Sequence, residues 1–254
     1  MTGEVVIDFL PEAVGRYGRG WTIVAVDVIR ATTTAVTAVW RGHEVFPARS
    51  LEDAMALAGS LEHPLLVGEL AGDTPPGFEE TNSPAALHLR SDIERPVVLL
   101  STNGSTLLRE SGERSEAAYA ACLRNASAQA DWLIGRHRRV ALVGAGSQGD
   151  FRIEDQYCCA RIASALLRAG YRPGGTTCEV VDRWAGLPVQ AVATGRSADF
   201  LRRTRQVPDL DFVLTHVDDL PAVFPIVNPE RCRVGLRLTA GSDAADEAEQ
   251  VVSA

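Results

Sequence analysis

The segment TIVAVDVIRATTT, residues 22–34, is an apolar run of strand length followed directly by an acid, a base and three threonines. Runs of this kind alternate with segments of helical period through most of the chain, which is typical of an α/β fold with a largely parallel sheet. Their near-continuous Val, Ile, Leu and Ala content indicates strands that are buried on both faces. We predict strands at residues 5–10, 22–29, 44–48, 65–70, 96–102, 117–122 and 140–145.

The pattern predicts a single α/β domain over residues 1–238, built as three α/β/α layers around a largely parallel or mixed central sheet. After residue 170 the pattern weakens, and the stretch TTCEVVDRWAG fits a strand or a helix. Residues 239–254 are small and acidic with few large apolar groups, so we predict a disordered tail.

The charge composition limits the kinds of ligand. The 254 residues include 25 basic and 33 acidic side chains, and none of the basic ones is lysine. This excludes Schiff-base and P-loop lysine chemistry, so a bound anion must be held by arginine, backbone amides or a metal. Without a basic stripe, nucleic acid is not an expected partner, and a small molecule is.

The five cysteines are odd in number and show no CxxC spacing, which favours a reducing compartment. No leader and no apolar stretch of about 20 residues is found, so we expect a cytoplasmic protein with no membrane partner. The strand at 44–48, interpreted as a surface strand, leaves room for a homodimer.

Polar residues that follow the strands are the candidates for a site, because ligands of open α/β sheets bind at the carboxyl ends of the strands. These residues are carboxylates, one arginine, hydroxyls, amides and a glycine, without histidine or cysteine. They are Asp27, Arg30, Thr32, Glu69, Asn82, Ser83, Thr102, Asn103, Gly104, Asn125 and Asp155.

Asp27 and Arg30 allow two interpretations, a structural ion pair or a ligand site. Burying such a pair costs several kcal/mol per ion, and the threonines at the next helix start add hydroxyls and free amides that suit an anion. The STNGS turn at 101–105 is similarly either a phosphate-binding nest or an ordinary connection.

GAGSQG at 144–149 matches the GxGxxG pattern of dinucleotide-binding proteins. The helical period begins only near Ile153, whereas that motif opens its helix within the glycines. A dinucleotide-dependent oxidoreductase is therefore an alternative hypothesis.

Five motifs in order, VDVIRATTT, GEL…TNSP, LLSTNGSTLL, LRNASA and VGAGSQG…IEDQYCCA, together resemble the 2-phosphosulfolactate phosphatase family. The resemblance runs from Val24 to Gly170, and LDFVLTHVDDLPAVFPIV is similar to the family's closing segment. It implies an α/β/α fold and Mg²⁺-dependent hydrolysis of a phosphomonoester of a small organic acid, 2-phosphosulfolactate or a relative, a step named for coenzyme M biosynthesis.

The resemblance also implies roles for single residues. The family's motif arginine falls on Arg30, and its acids and amides fall on Asp27, Glu69, Asn82, Asn103, Glu154 and Asp155. We expect catalysis from Asp27, Arg30 and Asp155, and Mg²⁺ ligands or a general base among Asp27, Glu69 and Asp155. Asp27 as a covalent nucleophile stays open. The expected substrate-binding residues are Thr32, Asn82, Ser83, Thr102, Asn103, Gly104 and Asn125.

One position departs from the family pattern. The family often has a basic residue after its Gly-Glu pair, and Leu70 stands there in this chain. The change removes a positive charge from the expected anion-binding set. A non-catalytic anion-binding homologue is therefore the third hypothesis.

Overall fold

Strands and helices alternate along the chain in the computed structural model, which describes residues 3–147, 149–227, 233–234 and 237–238. The strands are β1 (Glu4–Asp8), β2 (Thr22–Val26), β3 (Val45–Ala48), β4 (Leu65–Gly68), β5 (Val97–Leu100), β6 (Ala117–Ala121), β7 (Arg139–Gly144), β8 (Arg172–Gly174), β9 (Ala222–Val227), β10 (Arg233–Val234) and β11 (Arg237–Leu238). The helices are α1 (Ala31–Arg41), α2 (Leu51–Gly59), α3 (Pro84–Leu89), α4 (Gly104–Arg114), α5 (Ala126–Leu133), α6 (Ile153–Arg168), α7 (Thr177–Trp184), α8 (Arg196–Arg203) and α9 (Val207–Thr215).

The described strands form one mixed sheet made of two parallel groups. Its order is β4-β5-β3-β10-β9-β6-β2-β7-β1-β8, with β11 paired to β9 off this path. Pairing is parallel within β4-β5-β3 and within β6-β2-β7-β1-β8, whereas β9 and β10 join the two groups through antiparallel pairs. The predicted α/β class with a largely parallel or mixed sheet is confirmed.

Both faces of the sheet are covered, as the apolar runs predicted. In β2, Ile23 and Ala25 belong to one core cluster, whereas Val24 and Val26 belong to another. The first cluster includes buried side chains of α1 and α4, and the second includes side chains of α5 and α6. Since neighbouring residues of a strand point to opposite faces, helices lie on both sides of the central strand.

The ends of several helices follow local sequence signals. The Ser50 hydroxyl accepts a hydrogen bond from the Asp53 amide at 3.1 Å and caps α2. Gly42 ends α1 at φ 113°, a left-handed conformation that glycine adopts without a Cβ penalty. The ambiguous TTCEVVDRWAG segment forms helix α7.

The structure corrects two local predictions. Strand β2 ends at Val26 instead of residue 29, so Val28 and the residues after it belong to the loop that precedes α1. The segment at 44–48 is not a surface strand, because β3 pairs with β5 on one side and with β10 on the other. The sequence argument for a homodimer therefore does not hold.

Two further predictions concern the C-terminal tail and membrane spans. The predicted tail at 239–254 lies outside the described residues. Within the described part of the chain, no helix has the length and hydropathy needed to cross a bilayer.

Phe224→Ala tests the role of β9 in joining the two groups of strands. Phe224 is completely buried, so its truncation should lower the free energy of unfolding by about 3–5 kcal/mol. Leu89→Ala is the control, since Leu89 is 82% exposed and should change stability by less than about 0.5 kcal/mol. Urea unfolding measures both, and equal losses would contradict this packing.

Candidate active site

Polar side chains from several strand ends line a single cavity of about 360 Å³. Six of the residues predicted from the sequence lie there: Asp27, Arg30, Glu69, Asn82, Thr102 and Asn103. They follow β2, β4 and β5, and Gly146 and Ser147 after β7 join them. Among the described residues, no histidine or cysteine lines this cavity.

Asp27 follows β2 and is 9% exposed. Burial raises the pKa of its carboxyl to about 7, with further increases from the charges of Glu69 and Glu154, while a hydrogen bond from the Ala31 amide acts in the opposite direction. A Cβ on Gly104 would lie 2.0 Å from Asp27 Oδ2. Glycine at 104 therefore makes room for this carboxylate and is not itself a lining residue.

The loop that carries Asp27 is held by side chains that bond its backbone. The Thr32 hydroxyl accepts from the Asp27 amide at 2.9 Å and donates to the Asp27 carbonyl at 2.8 Å. The Thr33 hydroxyl donates to the Val28 carbonyl at 2.7 Å. Thr32 does not line the cavity, so the structure places it in support of the loop.

Arg30 is 5% exposed and has its charge partner in α9. Its Nη1 donates to Asp209 Oδ2 at 2.6 Å and to Gln206 Oε1. The guanidinium forms no further hydrogen bond with the described residues, so its remaining N–H groups are available to a ligand in the cavity that Arg30 lines.

Ser83, one of the predicted substrate-binding residues, belongs to the surroundings of Asp209. Its hydroxyl donates to Asp209 Oδ1 at 2.5 Å and accepts from the Ala86 amide, which caps α3. Ser83 is not a lining residue of the cavity. It holds the carboxylate that faces Arg30.

Glu69 and Thr102 join the loops after β4 and β5. Glu69 Oε1 accepts from the Thr102 amide at 2.9 Å, and Oε2 accepts from the Gly72 amide and from the Thr102 hydroxyl. Each carboxylate oxygen has two lone pairs. The Glu69 carboxylate can therefore hold this turn and still offer an oxygen to the cavity.

Two amide side chains complete the predicted set in the cavity. Asn82 is 2% exposed, and its Oδ1 has no hydrogen-bond partner among the described residues. Such a buried acceptor costs about 1–3 kcal/mol when it is left unpaired. The Asn103 amide donates to the carbonyls of Ala145 and Gly146, which fixes the STNGS turn against the glycine loop.

Asp155 and Asn125 bond the backbone instead of lining the cavity. Asp155 Oδ1 accepts from the Val28 amide at 2.8 Å and Oδ2 from the Gly146 amide at 3.3 Å, and burial raises the pKa of its carboxyl well above the ordinary value. Asn125 bonds the Cys122 amide and the Ala120 carbonyl and makes no side-chain cap of α5. Both side chains hold loops in place.

Glu154 lies behind the cavity wall at the start of α6. Its carboxyl is fully buried and makes no hydrogen bond of ordinary geometry with the described residues, although the Ser197 hydroxyl lies near enough to lower its pKa. Burial has the larger effect and raises that pKa. A Cβ on Gly195 would lie 3.0 Å from Glu154 Oε2, so the carboxyl faces the residue that precedes α8.

The glycine loop 144–149 does not have the geometry of a dinucleotide site. Such a site directs its loop amides at a pyrophosphate and starts its helix within the glycines. Here the Gly146 amide donates to Asp155, and α6 starts only at Ile153. A Cβ on Gly146 would lie 2.7 Å from the Phe9 carbonyl oxygen, so this glycine serves close packing.

The oxygen atoms at the cavity suit a hard cation. No three His, Cys, Asp or Glu side chains of the described chain converge into a metal cluster. Mg²⁺ needs only one or two carboxylates and keeps several waters. Asp27, Glu69 and the unpartnered Asn82 Oδ1 line one cavity and fit this requirement.

The sequence argument missed residues that come from the region after 170. Asp209 and Gln206 bind Arg30, and α8 contributes Arg196 and Arg203 to the lining. Helix α8 takes up most of the segment SADFLRRTRQV, residues 197–207, and its position at the cavity was not predicted. Its concentration of arginine in a chain without lysine was the signal that could have found it.

Comparison with known proteins gives one consistent result. The sequence profile described as 2-phosphosulpholactate phosphatase matches residues 9–226. The chain is 31% identical to the Probable 2-phosphosulfolactate phosphatase of Deinococcus radiodurans over 215 residues, which cover 78% of this chain and 90% of the relative. It is 34% identical to a protein of the same name from Carboxydothermus hydrogenoformans, covering 64% of this chain and 67% of that relative. It is also 34% identical to the 2-phosphosulfolactate phosphatase of Methanothermobacter thermautotrophicus, over 56% of this chain and 60% of the relative.

Asp209→Ala tests the ion pair, whose two side chains are each 4% exposed. The substitution leaves the Arg30 charge buried without its partner, so the free energy of unfolding should fall by about 3–5 kcal/mol in urea unfolding. The double variant Arg30→Met with Asp209→Leu should recover most of this loss, because it buries no charge. A loss below about 1 kcal/mol in the single variant would contradict the role of Asp209.

Proposed function

The chain belongs to the 2-phosphosulpholactate phosphatase family, and on this premise we propose that it hydrolyses 2-phosphosulfolactate or a relative to the hydroxy acid and phosphate. The observation that supports this most directly is that Asp27 and Arg30, both buried, line the same cavity. Glu69, Asn82 and Asn103 line it with them. One ligand in this pocket could therefore contact a carboxyl group, a guanidinium group and several hydrogen-bonding groups.

Arg30 is the proposed receptor for the phosphoryl group. Hydrolysis of a phosphomonoester is slow without a catalyst, and catalysis of phosphoryl transfer depends on positioning and on stabilising the charge of the transferred group. The pair with Asp209 holds Nη1, which fixes the plane of the guanidinium. The remaining donors can then form a fork to the phosphoryl oxygens.

Asp27 is the proposed reactive carboxylate. Without a bound metal its pKa is about 7, so it holds a proton in part of the molecules at neutral pH and can accept one in the others. As a general base it would take a proton from the attacking water. As a nucleophile, its oxygen would attack phosphorus and displace the alcohol, and water would then hydrolyse the acyl phosphate. Both variants fit its place in the cavity.

Mg²⁺ is the proposed cofactor, held by Asp27, Glu69 and the amide oxygen of Asn82. When bound, Mg²⁺ supplies positive charge next to the phosphoryl oxygens. We do not include Asp155 among its ligands, because Asp155 does not line the cavity, whereas Asp27, Glu69 and Asn82 do. Asp155 is instead proposed to position the Asp27 loop and the glycine loop, which are bonded to its two oxygens.

The expected setting of the protein is the cytoplasm, without nucleic acid as a partner. The described cysteines Cys122, Cys158, Cys159 and Cys178 are free thiols, which fits a reducing compartment. A homodimer stays a prediction, and analytical ultracentrifugation of the purified protein tests it.

Asp27→Asn tests the reactive carboxylate. The amide has a similar size but cannot accept the proton or attack phosphorus, so kcat should fall by about 10²- to 10⁴-fold. Phosphate release from phosphosulfolactate and phospholactate measures the rate, and circular dichroism checks the fold. Glu52→Gln is the control, because Glu52 is exposed on α2 and should keep the full rate. Full activity of Asp27→Asn would exclude this residue from the mechanism.

Removal of divalent metal tests the cofactor. Dialysis against a chelator should abolish phosphate release, and added Mg²⁺ should restore it. Mg²⁺ should also raise the Tm of the wild-type protein, because a ligand at about 100 times its Kd stabilises by about 2.7 kcal/mol. The Glu69→Gln variant should show a smaller rise. An unchanged rate after chelation would refute the metal site.

A further inference from the structure

Three arginines that do not follow strand ends line the strand-end cavity. Arg152 lies just before α6, and Arg196 and Arg203 are the first and last residues of α8. None of them belongs to the motifs that assign phosphoryl binding. Their guanidinium groups therefore add positive charge to the cavity beyond that of Arg30.

The charge of these arginines is only partly balanced by the protein. Arg196 Nη2 pairs with Asp150 Oδ2 at 2.7 Å, whereas Arg152 and Arg203 form no ion pair with any residue that the structure describes. Arg152 acts on the buried Glu154 carboxyl only at longer range, by lowering its pKa. Two cations of the lining are thus left without a bonded acid.

Arg152 also has a buried donor atom that lacks a hydrogen-bond partner within the described chain. Its Nη1 is buried and has no hydrogen-bond partner among the described residues. A buried donor of a charged group is costly when unpaired, and a planar guanidinium matches carboxylate and other oxyanions through parallel hydrogen bonds. Arg152 lines the cavity, so its guanidinium has donors that an anion in the cavity could use.

These arginines can be compared with position 70, where this chain has leucine. Leu70, which stands where the family often has a basic residue, is 37% exposed and is not part of the lining. Beyond Arg30, the positive charge of the lining comes from Arg152 in the turn before α6 and from Arg196 and Arg203 of α8.

We propose that Arg152 and Arg203 bind the carboxylate or sulfonate groups of the substrate that are not hydrolysed, and that they select an acidic phosphoester over a neutral one. This inference rests on the proposed phosphatase function. Arg196, paired with Asp150, ties the start of α8 to the glycine loop side of the cavity. Arg152 and Arg203 determine specificity, whereas Arg30 receives the phosphoryl group.

Substrate discrimination tests the proposal. The kcat/KM for phosphosulfolactate is compared with that for isopropyl phosphate, a secondary phosphomonoester without carboxylate or sulfonate. In Arg152→Gln and in Arg203→Gln, the ratio of the two values should fall by about ten- to a hundredfold, since a hydrogen bond to a charged group contributes about 1.5–3 kcal/mol. A merely structural role would lower both rates together and leave the ratio unchanged.

Arg202→Gln is the matched control on the same helix. Arg202 pairs with Asp199 at 2.9 Å, lies outside the cavity lining and is 44% exposed at its side chain. Its substitution should leave the ratio within about twofold of the wild type, because the lost surface pair contributes little. If Arg152→Gln fails to fold, the exposed Arg203 and the substitution Arg152→Lys carry the same test.

A binding measurement separates the failure of this proposal from that of the proposed function. Calorimetric titration with 3-sulfolactate, which has both acid groups and no phosphate, should give a Kd that is about tenfold weaker in Arg203→Gln. Binding of inorganic phosphate should weaken by a smaller factor. Unchanged sulfolactate binding together with an unchanged ratio would overturn the proposal. If the wild type hydrolyses no phosphoester, the phosphatase function fails, and the titration alone decides the acid site.

Discussion

The buried charges of Asp27 and Arg30 next to the end of β2 are the constraint on which the site depends. Removing such groups from water costs several kcal/mol each, so the surrounding structure must compensate them. Asp209 of α9 meets Arg30, and the Ala31 amide bonds the Asp27 carboxylate beside the space left at Gly104. These contacts join the starts of α1 and α4 and bring α9 to the same site.

The same contacts explain how loops from two groups of strands meet in one cavity. Antiparallel pairs through β9 and β10 separate β2 from β5, so the two strands run in opposite directions through the hydrogen-bonded sheet. The loops meet through direct contacts, since the Asn103 amide after β5 donates to the carbonyls of Ala145 and Gly146 after β7. Helices α1 and α4 start at these strand ends, and the close approach of Gly104 to Ala31 joins them.

The groups that line the cavity come from two sources, the loops at the strand ends and helix α8. The strand ends supply the carboxylates and amides that suit the reacting group, and their loops are held by Thr32, Thr33 and Asp155. Helix α8 supplies Arg203, which forms no ion pair with the described residues and does not hold these loops. If Arg203 binds the acid group as proposed, its substitution would change substrate preference and leave the strand-end loops intact.

The sequence by itself predicted strands β1 to β7, the α/β class with a largely parallel or mixed sheet, and six polar residues that the structure places in the cavity lining, because apolar runs and the residues that follow them are local signals. These six are Asp27, Arg30, Glu69, Asn82, Thr102 and Asn103. It could not separate ligand-facing polar residues from those that hold the backbone, such as Thr32, Asn125 and Asp155, since both use the same residue types. Only the tertiary structure decided this. It also brought Asp209 to Arg30 across 179 residues and placed the arginine-rich α8 at the cavity, because such contacts depend on packing between elements that are distant in the chain.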